Sequence, residues 1–301
     1  MHAPLWTPEQ AFAAYEAVRG RLPQATFPSA CENAGSLADI AERYDAFLLD
    51  AFGVLNIGEA AVPGAPERVA ALQRSGKRVL VLTNSASQTP DAGLAKYRRL
   101  GFDFVPEDVV SSREALKRAL AGRPERTWAC MAPPSAGIDE LGVRARLLED
   151  KPEPYEEADG IVLLGSAGWT RDRQAMLEAA LRRRPRPVLV GNPDIVAPRE
   201  AGLTPEPGHF AHLLAEKLGL LPLFCGKPFG NIFELALARL GDIARDRVLM
   251  VGDSLHTDVL GGAAAGIRTA LVTSFGLFRT CDVESLIGRS GIVPNHLLAR
   301  V

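Results

Sequence analysis

A few side chains able to do chemistry share one kind of place in this sequence, the end of a short apolar run. Asp50 follows AFLL, Thr83 and Asn84 close RVLVLTN, Asp253 closes RVLMVGD, and Asp258 comes five residues later. Lys227 stands between Cys225-Gly226 and Pro228, and it is one of only six lysines among 34 cations. A carboxylate at the end of a buried strand is poorly solvated unless it meets a cation or acts chemically. Asp50 alone would be equally at home capping the next turn. The set is harder to explain that way, because open parallel sheets place their ligand sites at the carboxyl edge, where all these groups would gather.

The elements that must position them follow from the pattern of apolar residues. The runs AFLLD (46–50), RVLVLTN (78–84), WACM (128–131), GIVLLG (160–165), PVLVGN (187–192) and RVLMVGD (247–253) are nearly continuous, as strands covered on both faces are. Between them lie helical patterns, among them APERVAALQRSG, DRQAMLEAALRRR and IFELALARLG, several of which end in glycine. Strand and helix alternating in this way predict an α/β fold, a doubly wound parallel-sheet Rossmann-like core. Thr7-Pro8-Glu9 opens an amphipathic helix with Phe12, Tyr15 and Val18 on one side, ahead of the first strand. Loop-like stretches at 132–138 and 151–159, and Pro193, Pro198, Pro205 and Pro207, mark an insertion. The expected organisation is an N-terminal helical extension over 1–35, a core from 36–113 and 204–301, and an inserted α/β cap domain over 114–203.

Composition excludes several classes of partner. The 301 residues are 47% hydrophobic, enough for a sizeable core, and 34 cations against 36 anions leave no basic excess to hold a nucleic acid. No apolar run reaches the ~18–20 residues of a membrane helix. Cys31, Cys130, Cys225 and Cys281 are widely spaced, which reads as reduced thiols of a cytoplasmic protein rather than a disulfide framework.

The segments D50-A-F-G-V-L, L-T83-N-S, C-G-K227-P and V-G-D253-S-L-H-T-D258-V-L-G-G, in that order, resemble the four motifs of the haloacid dehalogenase (HAD) superfamily over nearly all of 44–276. An insertion between the second and third motifs, with G191-N-P-D194 at its exit, looks like class IIA, the NagD-like and pyridoxal phosphate phosphatase-like proteins with a large α/β cap. The resemblance implies an Mg²⁺-dependent hydrolase of a small phosphorylated metabolite, with Asp50 as nucleophile. Asp50, the main-chain carbonyl of Phe52, and Asp253 would hold Mg²⁺, with Asp258 close by. Lys227 would neutralise nucleophile and phosphate, while Thr83, Asn84 and Ser85 donate hydrogen bonds to phosphate oxygens. Gly252 would let the chain turn at the metal. A homodimer is admitted; nucleic acid and membrane are not expected partners.

One departure bears on activity. Most phosphatases of the superfamily carry D-x-D, whose second Asp protonates the leaving oxygen, but here that position is Phe52. Loss of a positioned acid typically costs 10²–10⁴-fold. The enzyme would therefore act on substrates whose leaving group needs little protonation, such as phosphoramidates, acyl phosphates or pyrophosphate, or another residue, His256 or His209, would supply the proton. A 2-haloacid dehalogenase would also fit D-A-F-G-V-L, although only ~30 residues separate the first two motifs, too few for the helical cap of such enzymes. A catalytically weak protein that binds a phosphorylated ligand is a further alternative.

In the insertion, Trp169 and Arg171 follow an apolar strand and are candidate substrate contacts, as are Asn192, Asp194 and, in the fourth-motif loop, His256. The run Arg182-Arg183-Arg184 with Arg186 reads as a solvated helix end.

Overall fold

The computed structural model describes residues 6–123, 126–199 and 202–301. Its larger sheet has seven parallel strands in the order Glu32–Ser36, His296–Arg300, Arg268–Val272, Val248–Gly252, Ala46–Leu49, Arg78–Thr83 and Val109–Ser111. A smaller parallel sheet of five runs Leu223–Phe224, Val188–Val190, Gly160–Leu163, Thr127–Met131 and Arg144–Leu147. Helices occupy the crossovers, as the expected α/β fold requires.

Period-two alternation distributes the apolar runs between two cores. Phe47, Leu49, Val79, Val81, Leu249 and Val251 face one side of the large sheet, against Leu37, Tyr97 and Phe104. Leu48, Leu80, Leu82 and Met250 face the other, against Leu116, Ile232 and Phe233. This second cluster continues without a break into Trp128, Cys130, Val162 and Leu189 of the small sheet.

Two boundaries lie elsewhere than expected. The strand Glu32–Ser36 pairs with His296–Arg300 at the edge of the large sheet, so the core begins before 36. The small sheet also runs past 203. Its edge strand Leu223–Phe224 lies along Val188–Val190, and the helix Pro207–Leu218 buries Ala211 and Leu214 against the same layer. The proline-rich break after Asn192 is instead a hairpin, Val196–Arg199 with Gly202–Pro205. Arg186 also departs from the solvated reading, since it is buried and its guanidinium donates to the Tyr155 carbonyl.

Candidate active site

Three adjacent strands of the large sheet end at the same edge. Asp50 follows the central one and its amide donates to the Val251 carbonyl (2.9 Å); Asp253 follows one neighbour, and Thr83 closes the other. Parallel, in-register pairing thus gathers residues some 200 positions apart in sequence. Lys227 arrives on the loop that leaves the edge strand of the small sheet.

The Lys227 ammonium is buried and shared, 2.6 Å from Asp50 Oδ1 and 2.7 Å from Asp258 Oδ1. The second oxygen of Asp258 accepts from the amides of Asp253 (3.2 Å) and Ser254 (3.1 Å). Asp253 Oδ2 accepts from the Leu277 amide at 2.8 Å, and Asp50 Oδ1 also accepts from the Ala51 amide at 2.7 Å. Asp50 Oδ2 has no hydrogen-bond donor among the described residues. Gly252 serves by its lack of a side chain rather than by turning the chain: a Cβ there would fall 2.1 Å from Asp258 Cγ, in the space the carboxyl fills.

The loop carrying Lys227 is fixed from below by Asn84. The Asn84 side chain accepts from the Lys227 amide (2.8 Å) and donates to the Lys227 carbonyl (2.9 Å) and to Asp194 Oδ1 (2.8 Å). Both side-chain N–H groups are engaged, so the side chain clamps Lys227 and a contact of Asn84 with phosphate would be made by its main chain. Thr83 is buried, its Oγ1 accepting from the Ser85 amide at 3.2 Å, while the Ser85 hydroxyl meets Gln88 at 3.5 Å.

Electrostatics follow from burial. Burial pushes the Asp50 carboxyl up to about 6, with Lys227 pulling it down and Asp258 pushing it further up. Asp253 is pushed well above the carboxylate range by burial and then by Asp50 and Asp258. Asp194 rises to about 7 through burial, opposed by its Asn84 bond and Lys227. For Lys227, burial favours the neutral form, but Asp258 and Asp50 outweigh it and hold the ammonium above its ordinary range. Asp50, Asp253 and Asp258 can each offer an oxygen within 4.8 Å of the others. Three carboxylates against one ammonium leave excess negative charge on hard oxygen donors, which fits a divalent cation such as Mg²⁺.

Among the described residues, no hydrogen bond or ion pair joins His256 or His209 to this cluster. His256 is fully buried, with its ring stacked on Tyr15 (5.0 Å) and Nε2 2.5 Å from Glu16 Oε1; burial holds it below its ordinary range. Its expected place as substrate contact or proton donor is therefore corrected: the ring is enclosed by the N-terminal helix. His209 packs edge-on against Trp6 (5.1 Å). Phe52 is half-buried at the start of the short hairpin beyond Asp50. On the insert, Trp169 donates to Gln174 (3.0 Å), and Arg171 is exposed at the first position of its helix. Among the described residues, no hydrogen bond or ion pair links either to the carboxylates. Asn192 donates to Glu206 (3.2 Å) and accepts from the Asp194 amide (3.0 Å), so it shapes the exit segment. Sequence reasoning missed Tyr15, whose hydroxyl accepts from the Ile195 amide at 3.1 Å; its only signal was a place on an amphipathic helix.

The chain as a whole has counterparts in known families. A haloacid dehalogenase-like hydrolase model matches residues 47–140, and a HAD-hydrolase-like model matches 224–299. The chain belongs to the HAD superfamily, in its NagD-like class. It is 32% identical over 242 residues to D-glycerol 3-phosphate phosphatase of Mycobacterium tuberculosis, covering 78% of this chain and 65% of that relative's length. A crystal structure described as a possible sugar phosphatase of the superfamily, from Cytophaga hutchinsonii, superposes with a TM-score of 0.80 at 28% identity, over 89% of this chain and 98% of the other. The magnesium complex of glycerol phosphate phosphatase from M. tuberculosis superposes with a TM-score of 0.64 at 29% identity, over 77% and 68%. No described helix is long and apolar enough to cross a membrane.

Proposed function

We propose that this chain is an Mg²⁺-dependent phosphatase of a small phosphorylated metabolite, a sugar phosphate, nucleotide or similar compound, acting through an aspartyl-phosphate on Asp50. The observation that carries the reading is the buried Lys227 ammonium bridging Asp50 and Asp258, with Asp253 in reach of a shared cation. Likeness to phosphatases of sugar and glycerol phosphates supports the substrate class, and a relative's magnesium complex supports the cation. Asp50, Asp253 and the Phe52 carbonyl would hold the metal, with Asp258 behind them; bound there, it supplies Lewis-acid neutralisation of phosphate charge.

The chain's own residues do the rest. Asp50 Oδ2 attacks phosphorus, a new P–O bond forms, and the ester P–O bond breaks with its electron pair leaving on the alcohol oxygen, which takes a proton from solvent. Lys227 holds Asp50 ionised and offsets the negative charge gathering on phosphate, and the Thr83 hydroxyl donates to a phosphate oxygen. Water then attacks the phosphorus of the aspartyl-phosphate and gives its proton to solvent; the P–O bond to Asp50 breaks with its electron pair returning to the carboxylate, and inorganic phosphate leaves. As a bare phosphate-binding site, three clustered buried carboxylates would carry a desolvation penalty with no chemical return.

Phe52 has no proton to give, and with His256 enclosed a second reading gains weight: a preference for phosphoramidates, acyl phosphates or pyrophosphate, whose leaving groups need little protonation. A phosphate-release screen with Mg²⁺ over all these classes, run beside Asp50→Asn, tests the proposal. Release undiminished in Asp50→Asn would sink it, and chloride release from 2-haloacids without metal would favour dehalogenation. Phe52→Asp separates the two phosphatase readings. A gain on alkyl phosphates of about 10²–10⁴-fold, with little on acyl phosphates, means no other residue has taken the acid's role; no gain means one has.

A further inference from the structure

The chemistry above leaves the helix Pro8–Ala17 without a task. A Thr7–Gln10 capping box starts it, and it buries Ala11, Phe12 and Tyr15 against Leu255, Val259 and Leu260 of the turn after Asp253 and against Ile195 and Val196 at the exit of the insert. The polar contacts converge on one residue of that turn. His256 lies three residues after Asp253 and two before Asp258; Tyr15 stacks on its ring with 11° between planes, Phe12 meets it edge-on at 5.4 Å, and Glu16 accepts at Nε2. Tyr15 reaches the other way as well, its hydroxyl accepting from the Ile195 amide beside Asp194, the residue that braces Asn84.

His256 and Asp258 leave the single wide helical turn Leu255–Val259 toward different partners, His256 to the N-terminal helix and Asp258 to Lys227. A rotation of the turn that released His256 would draw the Asp258 carboxyl away from Lys227 and from the amides of Asp253 and Ser254 that it caps. Partners one layer behind a metal site govern its affinity by holding the ligand-bearing segment in place.

We infer that Tyr15 and Glu16 are positioning residues for the divalent-cation site, acting through His256, so that cation affinity depends on the N-terminal helix. The inference rests on the reading that Asp50 and Asp253 hold such a cation. Mg²⁺ titration calorimetry on the metal-stripped full chain tests it, with unfolding midpoints measured on the same samples. Glu16→Ala weakens Mg²⁺ binding about tenfold or more, and Glu16→Gln, which keeps an acceptor for His256, recovers most of the loss. Thr7→Ala is the control. It removes the cap at the end of the same helix away from Glu16, where the Thr7 hydroxyl accepts from the Gln10 amide at 3.2 Å. It lowers the midpoint and leaves Mg²⁺ affinity unchanged. Wild-type affinity in Glu16→Ala, or an equal loss in Thr7→Ala, overturns the inference. Should Glu16→Ala fail to fold, Tyr15→Leu, which removes the ring stacked on His256, decides: Mg²⁺ binding weaker than in the control supports it, and unchanged binding overturns it. A wild-type protein that binds no Mg²⁺ would instead overturn the metal reading beneath it.

Discussion

Each acidic residue of the site is held by a different compensation, and this sets how the protein responds to pH. Among the described residues, Asp258 has an ammonium and two amides, Asp253 one amide, and Asp194 the Asn84 side chain alone. Asp194 is raised from an ordinary 3.8 to about 7, so folding favours its protonated form. The penalty for ionising it is absent below its unfolded value and grows as pH rises through the folded one. Asp194→Asn keeps an acceptor for Asn84 without that penalty. Its melting temperature, compared with wild type in metal-free buffer, is expected to rise relative to wild type from pH 4 to pH 8, and a flat difference would show that Asp194 is not buried as described.

At the level of elements, the placement of Lys227 depends on the Gly226 turn. Gly226 has φ +133°, and a Cβ would lie 2.6 Å from Asn84 Oδ1 and 2.8 Å from Pro193 Cδ. Gly226→Ala should therefore destabilise the fold by about 1–3 kcal/mol in denaturant titrations and reduce phosphate release along with it; full activity would mean that the loop tolerates displacement. Asp50, Thr83 and Asp253 were legible in the sequence because each closes or follows an apolar run, which can be read locally, whereas Lys227 and Asp258 were legible only through their place in the ordered motifs. The Asn84 clamp was not, since its partners lie 143 and 110 positions away and only folding brings them together. His256 was misread for the same reason, its Glu16 partner being 240 positions off. The edge strand Leu223–Phe224 is too short to carry a period, and Pro222 disguises it.

Taken whole, the molecule is two sheets sharing one apolar cluster, with the N-terminal helix laid across both the insert and the turn after Asp253. Trp128 of the small sheet is fully buried in that shared cluster. Calorimetry is expected to give a single unfolding transition, and Trp128→Ala to destabilise it by about 3–5 kcal/mol; two separable transitions would contradict the shared core. Asp50 follows a strand of the large sheet and meets Lys227 from the loop after the small one, and its carboxyl is where the proposed chemistry occurs. Acid quenching of the enzyme during turnover with Mg²⁺ and a phosphorylated substrate, followed by peptide mass spectrometry, should find one phosphoryl group on the peptide containing Asp50 and none in Asp50→Asn. Phosphate release with Asp50 never labelled, or a label on another residue, would contradict it.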